Sequence, residues 1–299
     1  ASVWMATRSM AGDRWADRAL DVAATLKEAT ALQTDRGFRD RRGLFFVEGV
    51  RNFIHAVDSG SAIERILYSE RLLTSPVARK LVRQSRRSGV CALNLSPEQF
   101  RRMSLAERAS GIAAVLRQRW SRIEQASIGE GLCWIAIETV RSPGNLGTLI
   151  RSSRAAGGAG FILIGPSIDP FSPDVVRSAM GALYWQSFIR SDWDELRLWT
   201  KEQTCDVVGA SPDGDTDLHR LTCPKAPLLV LGEERHGLTA EQRELCSHLV
   251  RIPMTKGTDS LNLAVAGTLL MYEVYRSRGS PSPTHVRDTA PEGDRRPRC

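Results

Sequence analysis

Metal-binding side chains are sparse in this chain of 299 residues, which has five histidines and six cysteines. Cys91, Cys133, Cys205, Cys223, Cys246 and Cys299 are widely scattered, with no CxxC spacing and no nearby histidine pair. That argues against zinc and against a disulfide framework, so no metal is expected and a reducing compartment is. Long apolar runs are missing too. No stretch approaches the ~20 residues a membrane span needs, so no membrane partner is expected. The first twenty residues carry Asp13 and Asp17 and no apolar core, so no secretory signal is expected. A GxGxxG fingerprint is also absent, which leaves an ordinary dinucleotide site unsupported.

The rest of the composition, 42% hydrophobic and 25% charged, is that of an ordinary globular protein. The length fits two domains better than one. A net charge of +7 points to a polyanionic partner.

Residues 1–30 read as a modestly amphipathic helical extension (Trp15, Leu20, Ala23, Leu26). A first α/β domain is expected over 31–122. Leu44, Phe45, Phe46 and Val47 form a short apolar run between Gly43 and Gly49, a buried strand. A helix follows over Val50–Asp58, stopped by Ser59-Gly60. ERILYSE, VCALNL and GIAAVLRQ read as further strands, and 76–88 as a basic helix. Ser96 caps another helix, with Pro97 at its first position. Basic residues concentrate in this region, among them Arg36, Arg39, Arg79, Arg83, Arg86 and Arg102. They form either a solvated face or a surface that tracks phosphates without reading sequence.

A polar segment at 120–130 is the candidate linker. The second domain, 130–278, opens with LCWIAIE, the apolar run of a buried parallel strand. More strands are expected at 160–165, 205–210, 227–232 and 249–253, with helices at 145–157, 173–184, 193–204 and 239–247. Such alternation predicts a parallel sheet with helices on both faces. The tail, 279–299, is rich in Pro, Ser and charge and reads as disordered.

Three stretches of this domain could carry chemistry. In IETVRSPGNLGTLIRSSRAAG, Pro143-Gly144 turns the chain, Asn145 stands where a helix N-cap belongs, and Arg151 projects from the second turn. In LVLGEERHGLT, Gly232 permits an unusual turn, and Thr239 with Gln242 forms a capping box. Glu233, Glu234, Arg235 and His236 there read either as an acid/base cluster or as an exposed charged loop. In VRIPMTKGTDSLNLAVAGTLLMYE, Pro253 must end a strand and Ser260 can cap the next helix. Leu261, Val265, Thr268, Leu269 and Tyr272 recur at helical spacing as its expected buried face. Asn262 is a weak helix former in an apolar first turn, which marks it as either a cap or a functional side chain. SPDVVRSAMGALY is weaker: a packed helix, or one bordering the site.

In this order, N-x-G-x-x-x-R, LG-x-E-x-x-G and IPM…SLN resemble the three signatures of the SpoU (TrmH-like) branch of the SPOUT methyltransferases, over roughly residues 130–277. GLFFVEG more loosely resembles the substrate-binding domain that precedes the catalytic domain in many SpoU ribosomal RNA enzymes. The resemblance implies an α/β fold: a parallel-sheet SPOUT domain with a C-terminal trefoil knot, behind a small α/β RNA-binding domain similar to a ribosomal protein. It implies S-adenosyl-L-methionine as cofactor, held at Leu231, Gly232, Ile252, Met254 and Leu261. It also implies a homodimer and methyl transfer to a ribose 2′-hydroxyl. Asn145 and Arg151 would belong to the RNA side of the site, with Arg151 orienting ribose and phosphate. Proton removal would go through Glu234, a phosphate oxygen or water, and Ser260 and Asn262 would position the nucleotide. Glu233 departs from the small or amide residue usual in the pattern, and His236 falls at a variable position. Ribosomal RNA is the expected partner, in the cytoplasm or another reducing compartment with ribosomes. A transfer RNA enzyme and an inactive RNA-binding assembly protein are the alternatives.

Overall fold

Side-chain caps start most of the N-terminal helices. In the computed structural model, which describes residues 21–256 and 260–278, Asp21 accepts from the Ala23 N–H to open α1 (Val22–Thr34). Asp35 does the same for Phe38 at the start of α2 (Arg36–Arg42), and Gly43, with φ 61°, ends that helix. The first twenty residues of the expected helical extension, and the tail 279–299, lie outside the described residues.

The chain then alternates β1 (Leu44–Glu48), α3 (Val50–Asp58), β2 (Ile63–Tyr68), α4 (Pro76–Arg87), β3 (Cys91–Asn94), α5 (Pro97–Met103) and β4 (Ile112–Arg117). Both Ser-Pro starts behave as their chemistry demands. Ser75 caps α4, and Ser96 forms a reciprocal capping box with Gln99 in α5. The four strands make one sheet in the order β1-β4-β2-β3, antiparallel except for β2 and β3. α1 and α5 cover one face through Leu32, Phe100 and Met103 against Phe46. α3 and α4 cover the other through Phe53, Ala78 and Val82 against Ile66.

The second half contains β5 (Trp134–Ile137), α6 (Pro143–Ala156), β6 (Gly160–Ile164), α7 (Pro173–Ala179), β7 (Ser187–Ser191), α8 (Trp193–Gln203), β8 (Val207–Ala210), β9 (Thr216–Asp217), β10 (Leu228–Leu231), α9 (Ala240–Leu245), β11 (His248–Arg251) and α10 (Leu263–Ser277). Its seven strands are parallel, in the order β7-β6-β5-β10-β8-β11-β9. Alternate side chains of β5 face opposite layers, as a strand requires. Ile135 and Ile137 pack with Leu146 and Leu149 of α6, while Trp134 and Ala136 pack with Leu196 and Trp199 of α8. From β5 the chain runs outward through β6 and β7, then returns to the other side of β5. The carboxyl ends of β5, β10 and β8 therefore flank the point where the winding reverses, the place where open α/β sheets bind ligands.

Three expectations need correction. The helix expected at 173–184 breaks after Ala179, because Met180 (φ 50°) and Gly181 (φ 91°) are left-handed, and a short 3-10 turn follows at Ala182–Trp185. Only glycine fits at 181, where a Cβ would lie 2.1 Å from the His55 ring of α3. Ser260 does not cap α10; the cap is Asn262, whose Oδ1 accepts from the N–H groups of Ala264 (2.9 Å) and Val265 (3.3 Å). The buried stripe of α10 is likewise rotated. Leu263, Ala264, Gly267, Leu270, Met271 and Val274 face inward, whereas Val265, Leu269 and Tyr272 are 47%, 40% and 64% exposed. This helix is apolar on nearly every side, so periodicity fits either stripe. Gly267 decides between them: a Cβ there would stand 2.5 Å from Leu149 and 2.9 Å from Leu231, so the glycine stripe is the one that approaches α6 and β10.

The two halves share a core. Phe45 of β1 meets Phe171 at 4.8 Å between ring centroids, and Trp120 stands edge-on to Phe171 at 5.2 Å. The Arg190 guanidinium lies 3.9 Å over the Trp120 ring, a cation–π contact. Arg39 pairs with Asp169 at 2.5 Å, both nearly buried, and Arg36 donates to the carbonyls of Ser167 and Ile168. These contacts fix the first half against the loop that follows β6, at the carboxyl end of the large sheet. The 120–130 segment packs along the same seam: Ser121 bridges to Ile189, and Ile123 and Ala126 are buried.

Candidate active site

Loops after β8, β10 and β11 converge on a cavity of about 330 Å³ at the carboxyl end of the sheet. Its apolar wall includes Leu231, Ile252, Met254, Leu261 and Leu263, and its polar lip includes Ser211, Asp213, Glu233, Glu234, His236 and Ser260. All five positions expected to hold a cofactor, Leu231, Gly232, Ile252, Met254 and Leu261, therefore line one cavity, together with Glu234 and Ser260.

The turn after β10 is built from glycine geometry. Gly237 takes a left-handed φ of 66°, which folds 233–237 into a hairpin where Glu233 and Gly237 exchange N–H···O bonds of 3.0 and 2.9 Å. Gly232 lies against this hairpin: a Cβ there would sit 2.3–2.5 Å from backbone atoms of Gly237 and Leu238. Thr239 and Gln242 then form the expected capping box of α9.

At the lip, three segments far apart in sequence are joined by side chains. Asn145 donates from Nδ2 to Glu234 Oε1 at 2.5 Å, and Asn262 donates from Nδ2 to Asn145 Oδ1 at 3.0 Å. Asn145 is not the cap of α6. It sits on the third residue of a helix that begins at Pro143, which frees its amide for this chain. Each amide here has one orientation that satisfies its partners, so the Glu234 carboxylate is held by a fixed donor.

A second link carries no signal in the sequence. Arg141 donates from Nε to Glu233 Oε1 at 2.6 Å, and His236 Nδ1 lies 2.5 Å from Glu233 Oε2. The His236 hydrogen bond, reinforced by Arg141, holds the Glu233 carboxyl below the usual carboxylate range. Glu233 thus ties the loop after β5 to the loop after β10. Sequence reasoning also misses the lining residues at the end of β8 and in the loop after it, Ala210 to Asp213; their only signal is that they stand at the end of a parallel strand.

Arg151 stands apart. It is exposed on α6, does not line the cavity, and makes no side-chain hydrogen bond or ion pair among the described residues. Six residues beyond Asn145, it is turned about 120° around the helix from it and roughly 9 Å farther along. No group of three or more His, Cys, Asp or Glu that could hold a metal occurs among the described residues.

An apolar slot at the carboxyl end of a parallel sheet, with a glycine hairpin at its rim and a carboxylate on its lip, is the form of a ligand site in an α/β enzyme. Comparison with known proteins makes the class specific. The model of the SpoU rRNA methylase family matches residues 133–272, and that of an MRM3-like substrate binding domain matches 23–114. A 23S rRNA (uridine(2479)-2′-O)-methyltransferase of Streptomyces viridochromogenes is 31% identical over 85% of this chain and 90% of its own. A crystal structure of the SpoU methyltransferase AviRb from Streptomyces viridochromogenes, in complex with AdoMet, aligns with a TM-score of 0.78 at 30% identity, over 86% of this chain and 98% of that one. An AdoMet-bound rRNA methyltransferase from Sinorhizobium meliloti aligns with a TM-score of 0.77 at 29% identity, over 84% and 94%. The chain belongs to the SpoU rRNA methylase family.

Proposed function

We propose that this protein is an S-adenosylmethionine-dependent enzyme that methylates a ribose 2′-hydroxyl in ribosomal RNA. The observation that carries the reading is the Glu234–Asn145–Asn262 chain at the lip of the cavity. The cavity's residues fit the cofactor. Leu231, Ile252, Met254 and Leu261 offer an apolar wall for an adenine, and Gly232 and its hairpin bring backbone to the surface where a side chain would intrude. When bound, S-adenosylmethionine supplies a methyl group on a positively charged sulfur, open to in-line attack by an oxygen.

The protein must then align the attacking hydroxyl and receive its proton. Alignment of this kind can supply about 7–11 kcal/mol of a barrier. Asn145 occupies one oxygen of the Glu234 carboxylate, which leaves Oε2 directed to other donors; a ribose hydroxyl is the donor this reading assigns. Ser260 stands at the same lip and contacts the nucleotide. Arg151 orients ribose and phosphate, because a guanidinium holds its proton too tightly to serve as a base.

The exposed position of Arg151 supports a homodimer in which it serves the partner's cavity. Val265, Leu269 and Tyr272 form an exposed apolar stripe on α10. Thr268 Oγ1 donates to Ser152 Oγ at 2.8 Å, which places residue 152, next to Arg151, beside that stripe. A self-complementary contact through α6 and α10 would cover the stripe and carry Arg151 across the interface. The position of β10 between β5 and β8, with α10 then returning onto α6, supports a C-terminus threaded as a trefoil knot. The setting this substrate implies is a compartment that contains ribosomes.

Incubation with tritiated S-adenosylmethionine and separate pools of ribosomal and transfer RNA tests the substrate. Label in ribosomal RNA is expected. Label in transfer RNA alone would reassign the substrate, and absence of cofactor binding by calorimetry would leave an assembly protein.

A further inference from the structure

The cations of the N-terminal domain divide into two sets. One set is spent inside the protein. Arg39 pairs with Asp169, Arg36 holds two backbone carbonyls, Arg42 and Arg65 both pair with Glu28, and Arg102 and Arg117 pair with Glu98 and Glu64. The other set is concentrated on α4. Its sequence, PVARKLVRQSRR, contains five cations and no acid. Arg79, Lys80, Arg83, Arg86 and Arg87 are all exposed, and none joins an ion pair among the described residues.

Their spacing matters as much as their number. At about 100° per residue, these five positions fall within an arc of roughly 120° on the helix. Ala78 and Val82, the buried residues of α4, lie on the adjoining side. The cations therefore form one stripe along the shoulder of a packed helix. Beside the stripe runs a groove of about 300 Å³ between α4 and the end of β2, lined by Tyr68, Glu70, Arg79, Arg83 and Arg86. Arg79 braces its wall through hydrogen bonds to the carbonyls of Leu73 (2.6 Å) and Glu70 (3.1 Å). The groove thus has a fixed backbone edge and a row of guanidinium groups without acidic partners above it.

We infer that α4 and this groove bind the sugar–phosphate backbone of the substrate RNA, at a distance from the residues that act on the ribose. The inference rests on the RNA-methylating function proposed above. Like charges crowded on one arc repel one another, and here no acid of the same helix relieves them. A polyanion with regularly spaced phosphates does so, and guanidinium groups grip phosphate oxygens in forked pairs. RNA is favoured over an acidic protein because the charge spans just over two turns, about 12 Å, in a single row, a match for successive phosphates. Contacts of this kind add affinity without sequence preference. Base selection would then fall to other parts of the protein.

The test uses the full chain with three stripe residues changed, Lys80→Gln, Arg83→Gln and Arg87→Gln. These three are exposed and, unlike Arg79, brace nothing. A control carries Arg42→Gln and Arg102→Gln, which removes exposed cations that are already paired. Filter binding of ribosomal RNA across a salt series, cofactor calorimetry and steady-state methylation are read for each. Each lost phosphate contact should flatten the log–log salt dependence by roughly 0.7–0.9, so the triple variant should lose about 2–3 in slope. Its KM for RNA should rise at least tenfold, with cofactor affinity and kcat at saturating RNA within twofold of wild type. The control should change the slope by less than one. A triple variant with wild-type slope and KM overturns the inference, as does a wild-type protein that binds no RNA. Loss of RNA binding in the triple variant of a protein that binds RNA but transfers no methyl group would support the stripe and overturn the proposed reaction.

Discussion

Gly232→Ala is the sharpest single perturbation of the cavity proposed to hold the cofactor. The added methyl group would lie 2.3–2.5 Å from the carbonyl carbon and oxygen of Gly237 and the nitrogen of Leu238. Carbon contacts settle near ~3.5 Å, so one backbone segment must retreat by about 1 Å. No flexible side chain can give way, because all three neighbours are main-chain atoms. The retreat strains the two hydrogen bonds that close the 233–237 hairpin, each worth about 0.5–1.5 kcal/mol, on top of an overpacking cost of about 1–3 kcal/mol. A net distortion of about 2–4 kcal/mol, borne by the loop that forms the cavity wall, corresponds to a loss of roughly 30- to 1000-fold in cofactor affinity. Titration calorimetry with S-adenosylmethionine measures it. Gly43→Ala is the companion. Gly43 is left-handed at φ 61°, but no atom lies within 4 Å of its would-be Cβ, and it ends α2 in the other half. That change costs about 1–2 kcal/mol of backbone strain, lowers Tm by a few degrees and leaves cofactor affinity intact. If Gly232→Ala bound the cofactor as wild type does, the cavity assignment would be wrong.

Arg151→Ala should leave cofactor affinity unchanged and lower kcat at least 100-fold on saturating RNA; near-wild-type turnover would remove Arg151 from the mechanism. Asn262→Ala loses the α10 cap, about 1–2 kcal/mol, and the link to Asn145. Asn262→Asp keeps an oxygen for the cap but cannot donate to Asn145, so thermal melts should show stability recovered while methylation assays show activity still lost; recovery of both would deny the Asn145 link a role. Burial pushes the Cys133 thiol up to about 12, so alkylation at pH 8 followed by peptide mass mapping should find it unmodified until denaturant is added. Because Glu233 is held below its usual range, the stability it contributes is present above the unfolded carboxylate value of about 4.3 and is lost as pH falls through the lowered folded value. Denaturation of wild type and Glu233→Gln should therefore differ at pH 7 and converge in acid; a gap that widened on acidification would reverse the assignment.

Elements with one buried face and unambiguous punctuation are legible in the sequence. β1 sits between two glycines, α3 spans Val50–Asp58 as expected, and α5 begins at Ser96-Pro97. The edge strands of the large sheet are not legible. β9 has two residues, and β7 has only Phe188 and Ile189 as apolar content, too little for a periodic signal. The orientation of α10 is hidden for the opposite reason: two apolar stripes compete, and a glycine contact with Leu149 and Leu231, invisible in the sequence, chooses between them. The five positions proposed to hold the cofactor are reached through the resemblance to the family signatures, and they line one cavity at the end of the sheet where parallel strands gather their loops. The Arg141–Glu233–His236 link is not, because it joins segments about ninety residues apart through side chains that each read as exposed charge.

Alkaline hydrolysis of the labelled RNA tests the central claim most directly. Alkali cleaves RNA through attack by the 2′-hydroxyl on the adjacent phosphate, so a methyl group on that oxygen protects one linkage. After incubation of the wild-type protein with tritiated S-adenosylmethionine and ribosomal RNA, the label should survive alkali as a dinucleotide. Tritium recovered in mononucleotides, as base methylation would give, would contradict the account.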